Sequence, residues 1–216
     1  MQQRYSFIYE RLYQYYGPQN WWPAETPFEM LIGAILVQNT SWRNVEKALV
    51  QLGEFLDPKT IEHLPEVELA QLIKSSGFFN IKAKRIKAFI QWFNKYEYDI
   101  EKIKQIDKQT LRTELLSIYG IGRETADAML LYAFHKPGFV VDAYARRIFT
   151  RIGKDVPASY DLFRKQVESE LPADLSLLQE YHALLVEHGK MHCRTKPLCL
   201  GCPLNDLCDY YLTSFA

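Results

Sequence analysis

Apolar residues recur along this chain at intervals of three and four, the period of a helix with one buried face. Val45, Ala48, Leu49 and Leu52 form one such stripe after Ser41, and Ile86, Phe89, Ile90 and Phe93 form another after Asn80. Leu111, Leu115 and Ile118 continue the pattern, as do Ala126, Met129, Leu130 and Ala133. Ala145, Ile148, Phe149 and Ile152 make a further stripe, and Leu177, Leu178, Tyr181, Leu184 and Leu185 the last. Thr26-Pro27-Phe28-Glu29 supplies a capping hydroxyl, a proline at the first helical position and an acid at the third, so a buried helix is expected from there to Val37. Only Phe139-Val140-Val141 reads as strand, and three residues cannot found a sheet. With no repeat, low-complexity segment or Gly/Ser linker, any domain division must fall between packed helices.

At 216 residues, 48% of them apolar and 24% charged, the chain can bury one sizeable core or two small ones. No apolar run approaches a membrane span; the most apolar stretch, Met30 to Val37, is short and followed by polar residues. Met1 to Glu10 has neither the basic start nor the apolar centre of a signal peptide, so a cytoplasmic location is expected. The 26 basic and 26 acidic side chains cancel, so an anionic partner would have to be met by local charge. Two basic runs qualify, Lys82, Lys84, Arg85 and Lys87, and then Arg146, Arg147, Arg151 and Lys154. Each reads equally as a solvated helix face.

All four cysteines stand near the C-terminus as Cys193, Cys199, Cys202 and Cys208, spaced C-x5-C-x2-C-x5-C. Four thiolates this close in sequence can surround one ion or one iron-sulfur cube, and spacing alone leaves zinc and [4Fe-4S] open. Two disulfides are the competing reading, disfavoured by a reducing compartment.

Leu115 to Ala126 contains Gly120-Ile121-Gly122 between an apolar helix end and a new helix. Paired glycines permit a tight reversal and bare N–H groups at a helix N-terminus, a site suited to phosphate, although many plain helix-helix turns look the same. Eighteen residues beyond Glu124 comes Asp142, after Val140-Val141 and before an amphipathic helix. An aspartate there is expected to cap the helix, and a cap also fixes the direction of its carboxylate.

These motifs, in this order, with Leu31 to Thr40 and Ser76 to Lys84 before them and Val186-Glu187-His188-Gly189 ahead of the cysteines, resemble the endonuclease III, or HhH-GPD, superfamily of DNA repair glycosylases. The resemblance implies an all-α fold of two domains. One, residues 24–136, is a six-helix barrel carrying the helix-hairpin-helix; the other joins residues 1–23 to 137–216 and carries the cysteine loop. Double-stranded DNA would be bound by a monomer, with Gln38, Lys82, Gly120, Gly122 and Arg123 at the DNA and a flipped base received between the domains. The resemblance favours a [4Fe-4S] cluster, although the family usually has six residues between its first two cysteines where this chain has five.

Members that also cleave the strand use a lysine in the second hairpin helix as nucleophile, and this chain has Glu124 there. A carboxylate cannot form the imine, so an intact abasic site is the expected product. Asp142 matches the essential aspartate of the family, which stabilises positive charge developing on the sugar. Trp21, Trp22 and Trp42 resemble the aromatic residues that line the pocket of the 3-methyladenine DNA glycosylase III branch, with Glu124 nearby. Electron-rich indole faces attract a cationic alkylated purine more than its neutral parent. A glycosylase for a deaminated or oxidised base, and a non-catalytic protein that binds damaged DNA, are the alternatives.

Overall fold

The computed structural model describes residues 4–21 and 24–215, and no strand occurs among the described residues. Among the described residues, thirteen α-helices appear in the order α1 (Tyr5–Tyr16), α2 (Pro27–Leu36), α3 (Trp42–Leu52), α4 (Pro58–His63), α5 (Glu66–Leu72), α6 (Phe79–Asn94), α7 (Ile100–Lys104), α8 (Lys108–Ser117), α9 (Arg123–Tyr132), α10 (Ala143–Ile152), α11 (Tyr160–Glu168), α12 (Leu175–Met191) and α13 (Asp209–Phe215). No helix among the described residues is long and apolar enough to cross a membrane. The chain forms two compact units, Trp22–Lys136, and Met1–Trp21 with Pro137–Ala216.

In the continuous unit, α2 starts as its sequence requires. Thr26 Oγ1 accepts from the Glu29 N–H at 3.1 Å and Pro27 follows the cap. The helix then buries every residue from Met30 to Leu36, so it is surrounded by its neighbours instead of lying at the surface. The stripes of α3 and α6 turn inward as their spacing demands, and Phe93 stacks on Phe28 with ring centres 6.0 Å apart. Helices α8 and α9 are clamped by Arg112 and Asp127, a buried bidentate pair with N···O distances of 2.7 and 3.1 Å. Removing one partner of such a pair strands the other charge and typically costs about 3–5 kcal/mol.

The second unit gathers α1 with α10 to α13. Its centre is aromatic: Tyr5 meets Phe149 edge-on at 4.9 Å, and Tyr181 lies near both Phe139 and Phe149. The Tyr181 hydroxyl donates to the Tyr5 carbonyl at 2.8 Å, tying α12 to α1. The stretch with strand character, Phe139 to Val141, is buried but forms no strand. Side chains take the place of a neighbouring strand: Glu168 accepts from the Phe139 N–H at 3.0 Å and the Tyr160 hydroxyl accepts from that of Val141 at 3.2 Å.

Candidate functional site

The turn between α8 and α9 is built as its glycines suggested. Gly120 has φ +83°, and a Cβ there would stand 2.2 Å from Arg85 Cγ, so both backbone shape and space require glycine. Gly122 caps α9 without a side chain, and Gly122 and Arg123 are exposed. Glu124 is also exposed in that first turn.

Gln38 braces this turn from the end of α2. Its Nε2 donates to the Gly120 carbonyl at 3.0 Å and to Thr125 Oγ1 at 2.9 Å, while its Oε1 accepts from Arg85 Nη1. One residue thus connects α2, α6 and the hairpin. Trp42, half-buried, lays its ring against Gly33 of α2, where a Cβ would come within 3.0 Å of the indole.

Lys82 is not available to DNA, contrary to the sequence expectation. It is 1% exposed, and Nζ donates to the Leu36 and Ser76 carbonyls at 2.7 Å each. Burial, aided by nearby Arg85, lowers its pKa to about 8. Lys87 is similarly committed to the carbonyls of Ile61, Glu62 and Leu64 at the end of α4. The first basic run therefore holds backbone carbonyls through two of its lysines and braces Gln38 through its arginine.

Asp142 stands in the other unit, at the N-cap of α10, where Oδ1 accepts from the Ala145 N–H at 2.7 Å. It is 8% exposed. Its other oxygen, Oδ2, lies 3.6 Å from Nε2 of His182, itself buried on α12. The Trp21 ring meets the His182 imidazole edge-on, with centres 5.4 Å apart. Trp22, the remaining tryptophan of the expected pocket, lies outside the described residues.

The four cysteines are free thiols that line one pocket beside α10 and α12. Burial, then repulsion from the other three sulfurs, pushes the Cys202 thiol up to about 11. Four thiolates can therefore coexist there only against compensating positive charge. Among the described residues, no three His, Cys, Asp or Glu side chains are gathered as on a single metal ion. The second basic run secures this loop: Arg151 donates to Cys193 Sγ at 3.3 Å and to the Arg194 and Thr195 carbonyls, and Arg147 donates to the Cys193 carbonyl at 2.7 Å. His188 is 2% exposed, with its pKa lowered to about 3 mainly by burial, so its ring is neutral. Its Nδ1 lies 3.0 Å from the Tyr16 hydroxyl, whose pKa burial raises; a proton donated by that hydroxyl leaves Nε2–H directed at Cys202 Sγ, 3.8 Å away.

Sequence reasoning missed His182, Arg112 with Asp127, and the arginines as braces of the cysteine loop. For His182 the signal was a polar residue beside Tyr181 on the apolar face of α12. It also missed Phe78 and Tyr119, large rings left 66% and 61% exposed at turns of the continuous unit. Phe78 carries φ +47°, unusual for so bulky a residue.

Residues 32–173 match the family described as HhH-GPD superfamily base excision DNA repair protein, and the chain belongs to it. A provisionally assigned DNA repair glycosylase of Methanocaldococcus jannaschii is 48% identical over 206 residues, covering 93% of this chain and 94% of its own. Among solved structures, a trapped endonuclease III–DNA covalent intermediate is similar with TM-score 0.84 and 25% identity, covering 98% of this chain and 97% of that one. The H. pylori 3-methyladenine DNA glycosylase bound to 1,N6-ethenoadenine is similar with TM-score 0.75 and 28% identity, covering 85% and 95%.

Proposed function

We propose that the protein is a monofunctional DNA glycosylase that hydrolyses the N-glycosidic bond of alkylated purines, 3-methyladenine first, and leaves an abasic site. The observation that carries this reading is Asp142, a buried carboxylate with one oxygen held by the helix cap. As the base departs, positive charge grows on the sugar, and a pre-placed carboxylate lowers the energy of that state before water adds. An alkylated purine is already a good leaving group, so little acid assistance is required. Trp21 and Trp42 offer ring faces for a cationic base, and the H. pylori relative supports that substrate class.

Glu124, at the start of α9 where the strand-cleaving members have lysine, gives no amine for a Schiff base. The glycine turn and the start of α9 at Arg123, a helix N-terminus with exposed residues, suit a DNA phosphate, and the protein acts as a monomer on double-stranded DNA. Gln38 is proposed to contact the duplex from its place against the hairpin, and exposed Phe78 and Tyr119 offer rings for stacking on bases. Cys193, Cys199, Cys202 and Cys208, four thiols lining one pocket, would hold a [4Fe-4S] cluster, a reading favoured over zinc by the endonuclease III likeness. The cluster would supply structural order to the loop, not turnover.

The endonuclease III likeness favours a second reading, a glycosylase for another damaged base. Release of free bases decides between them. Methylated DNA should yield 3-methyladenine faster than uracil or thymine glycol leaves matched duplexes, and borohydride should trap no covalent adduct on abasic DNA. Faster release of either neutral base overturns the substrate, and a trapped adduct overturns the monofunctional assignment.

A further inference from the structure

Among the described residues, the helix cap holds Asp142 through Oδ1. A carboxylate held by Oδ1 alone can still turn about its Cβ–Cγ bond, and a rate that depends on where its charge points is sensitive to that freedom. His182 stands where it can remove the freedom. Its Nε2 is 3.6 Å from Oδ2, longer than a hydrogen bond but within reach of a small ring rotation, and both residues are 8% exposed. The same imidazole is the surface on which Trp21 rests edge-on. His182 thus touches both the carboxylate and one aromatic wall of the proposed pocket.

We infer that His182 is a positioning residue. Its Nε2–H donates to Asp142 Oδ2 and fixes the carboxylate plane, and its ring sets the place of Trp21 relative to that carboxylate. This rests on the glycosylase reading for its catalytic consequence, though the contact itself can be tested without substrate. An imidazole N–H on Nε2 is a donor that can orient the carboxylate, whereas a purely apolar residue would withdraw that donor from a buried polar group.

His182→Leu removes the donor, and His182→Gln keeps an amide N–H near the position of Nε2. Single-turnover release of bases from methylated DNA should slow by roughly tenfold to a hundredfold in His182→Leu, and His182→Gln should recover most of the rate. Affinity for a duplex carrying a stable abasic-site analogue should be unchanged in both. Equal rates in wild type and His182→Leu overturn the proposal, as does equal slowing of both variants with a matching fall in Tm, which marks a packing residue. Long-range 1H–15N NMR supplies the substrate-independent arm. The His182 signal, assigned by its loss in His182→Gln, should report a proton on Nε2 and should move in Asp142→Asn. A proton on Nδ1 alone, or no response to Asp142→Asn, overturns the proposal. If wild type releases no base from methylated DNA while the NMR result holds, the substrate reading fails and the positioning contact stands.

Discussion

Lys82→Met tests whether a buried ammonium is carried at a cost. In the folded protein the Lys82 pKa falls from 10.5 to about 8, chiefly through burial. With only 1% of the residue exposed, solvent does little to soften that effect. The fall corresponds to about 3 kcal/mol. Below pH 8 the lysine is charged whether folded or unfolded, so the full cost is present. Between about pH 8 and 10.5 the unfolded chain binds a proton that the folded chain has released, and stability rises with pH; above that range the cost is gone. Methionine has a similar length and never pays the charge penalty, but it leaves the Leu36 and Ser76 carbonyls without their donor, at about 1–3 kcal/mol each. The two effects oppose one another at neutral pH and separate in alkali. Urea unfolding followed by circular dichroism, at several pH values from about 7 to about 10.5, should show wild type gaining up to about 3 kcal/mol relative to the variant. The lysines and thiols common to both cancel in the difference. A difference that stays flat or falls with pH refutes the argument. In DNA binding, the slope of log K against log salt should be the same for both proteins, whereas a Lys82 at a phosphate would lower it by about 1 on substitution.

Asp142→Asn keeps a good cap, so Tm should hardly move while base release drops at least about a hundredfold with DNA binding retained; near-normal release would remove Asp142 from the chemistry. Gly120→Ala forces a left-handed alanine into the space of Arg85, and a loss of about 2–3 kcal/mol in denaturant unfolding, with weaker DNA binding, is expected. Arg151→Met withdraws donors from Cys193 Sγ and two loop carbonyls, so protein purified without oxidation should be brown in wild type and carry less iron per chain in the variant at unchanged helix content.

What the sequence disclosed was local. The Thr26 cap, the stripes of α3, α6 and α10, the glycine turn and the Asp142 cap all depend on residues within a few positions of one another, where period and capping chemistry act directly. Helices α4, α5 and α7 escaped because five to seven residues hold barely two turns of pattern. Charge was the least readable property. Lys82, Lys87, Arg147 and Arg151 look alike in sequence, yet each terminates on carbonyls supplied by remote segments, so their burial or bracing depends on tertiary contacts that no local pattern encodes. His182 illustrates the same limit, since its proximity to Asp142 spans forty residues of chain.

The bond from Tyr181 to the Tyr5 carbonyl links residues 176 apart, and it belongs to a unit assembled from both ends of the chain. Bringing such distant segments together costs loop entropy before any contact repays it, whereas Trp22–Lys136 can fold from one uninterrupted stretch. During synthesis the hairpin-bearing unit can therefore form first, while α1 waits for α12 to leave the ribosome. Asp142 and the cysteine loop belong to that later-closing unit, so insertion of the proposed cluster would accompany its folding.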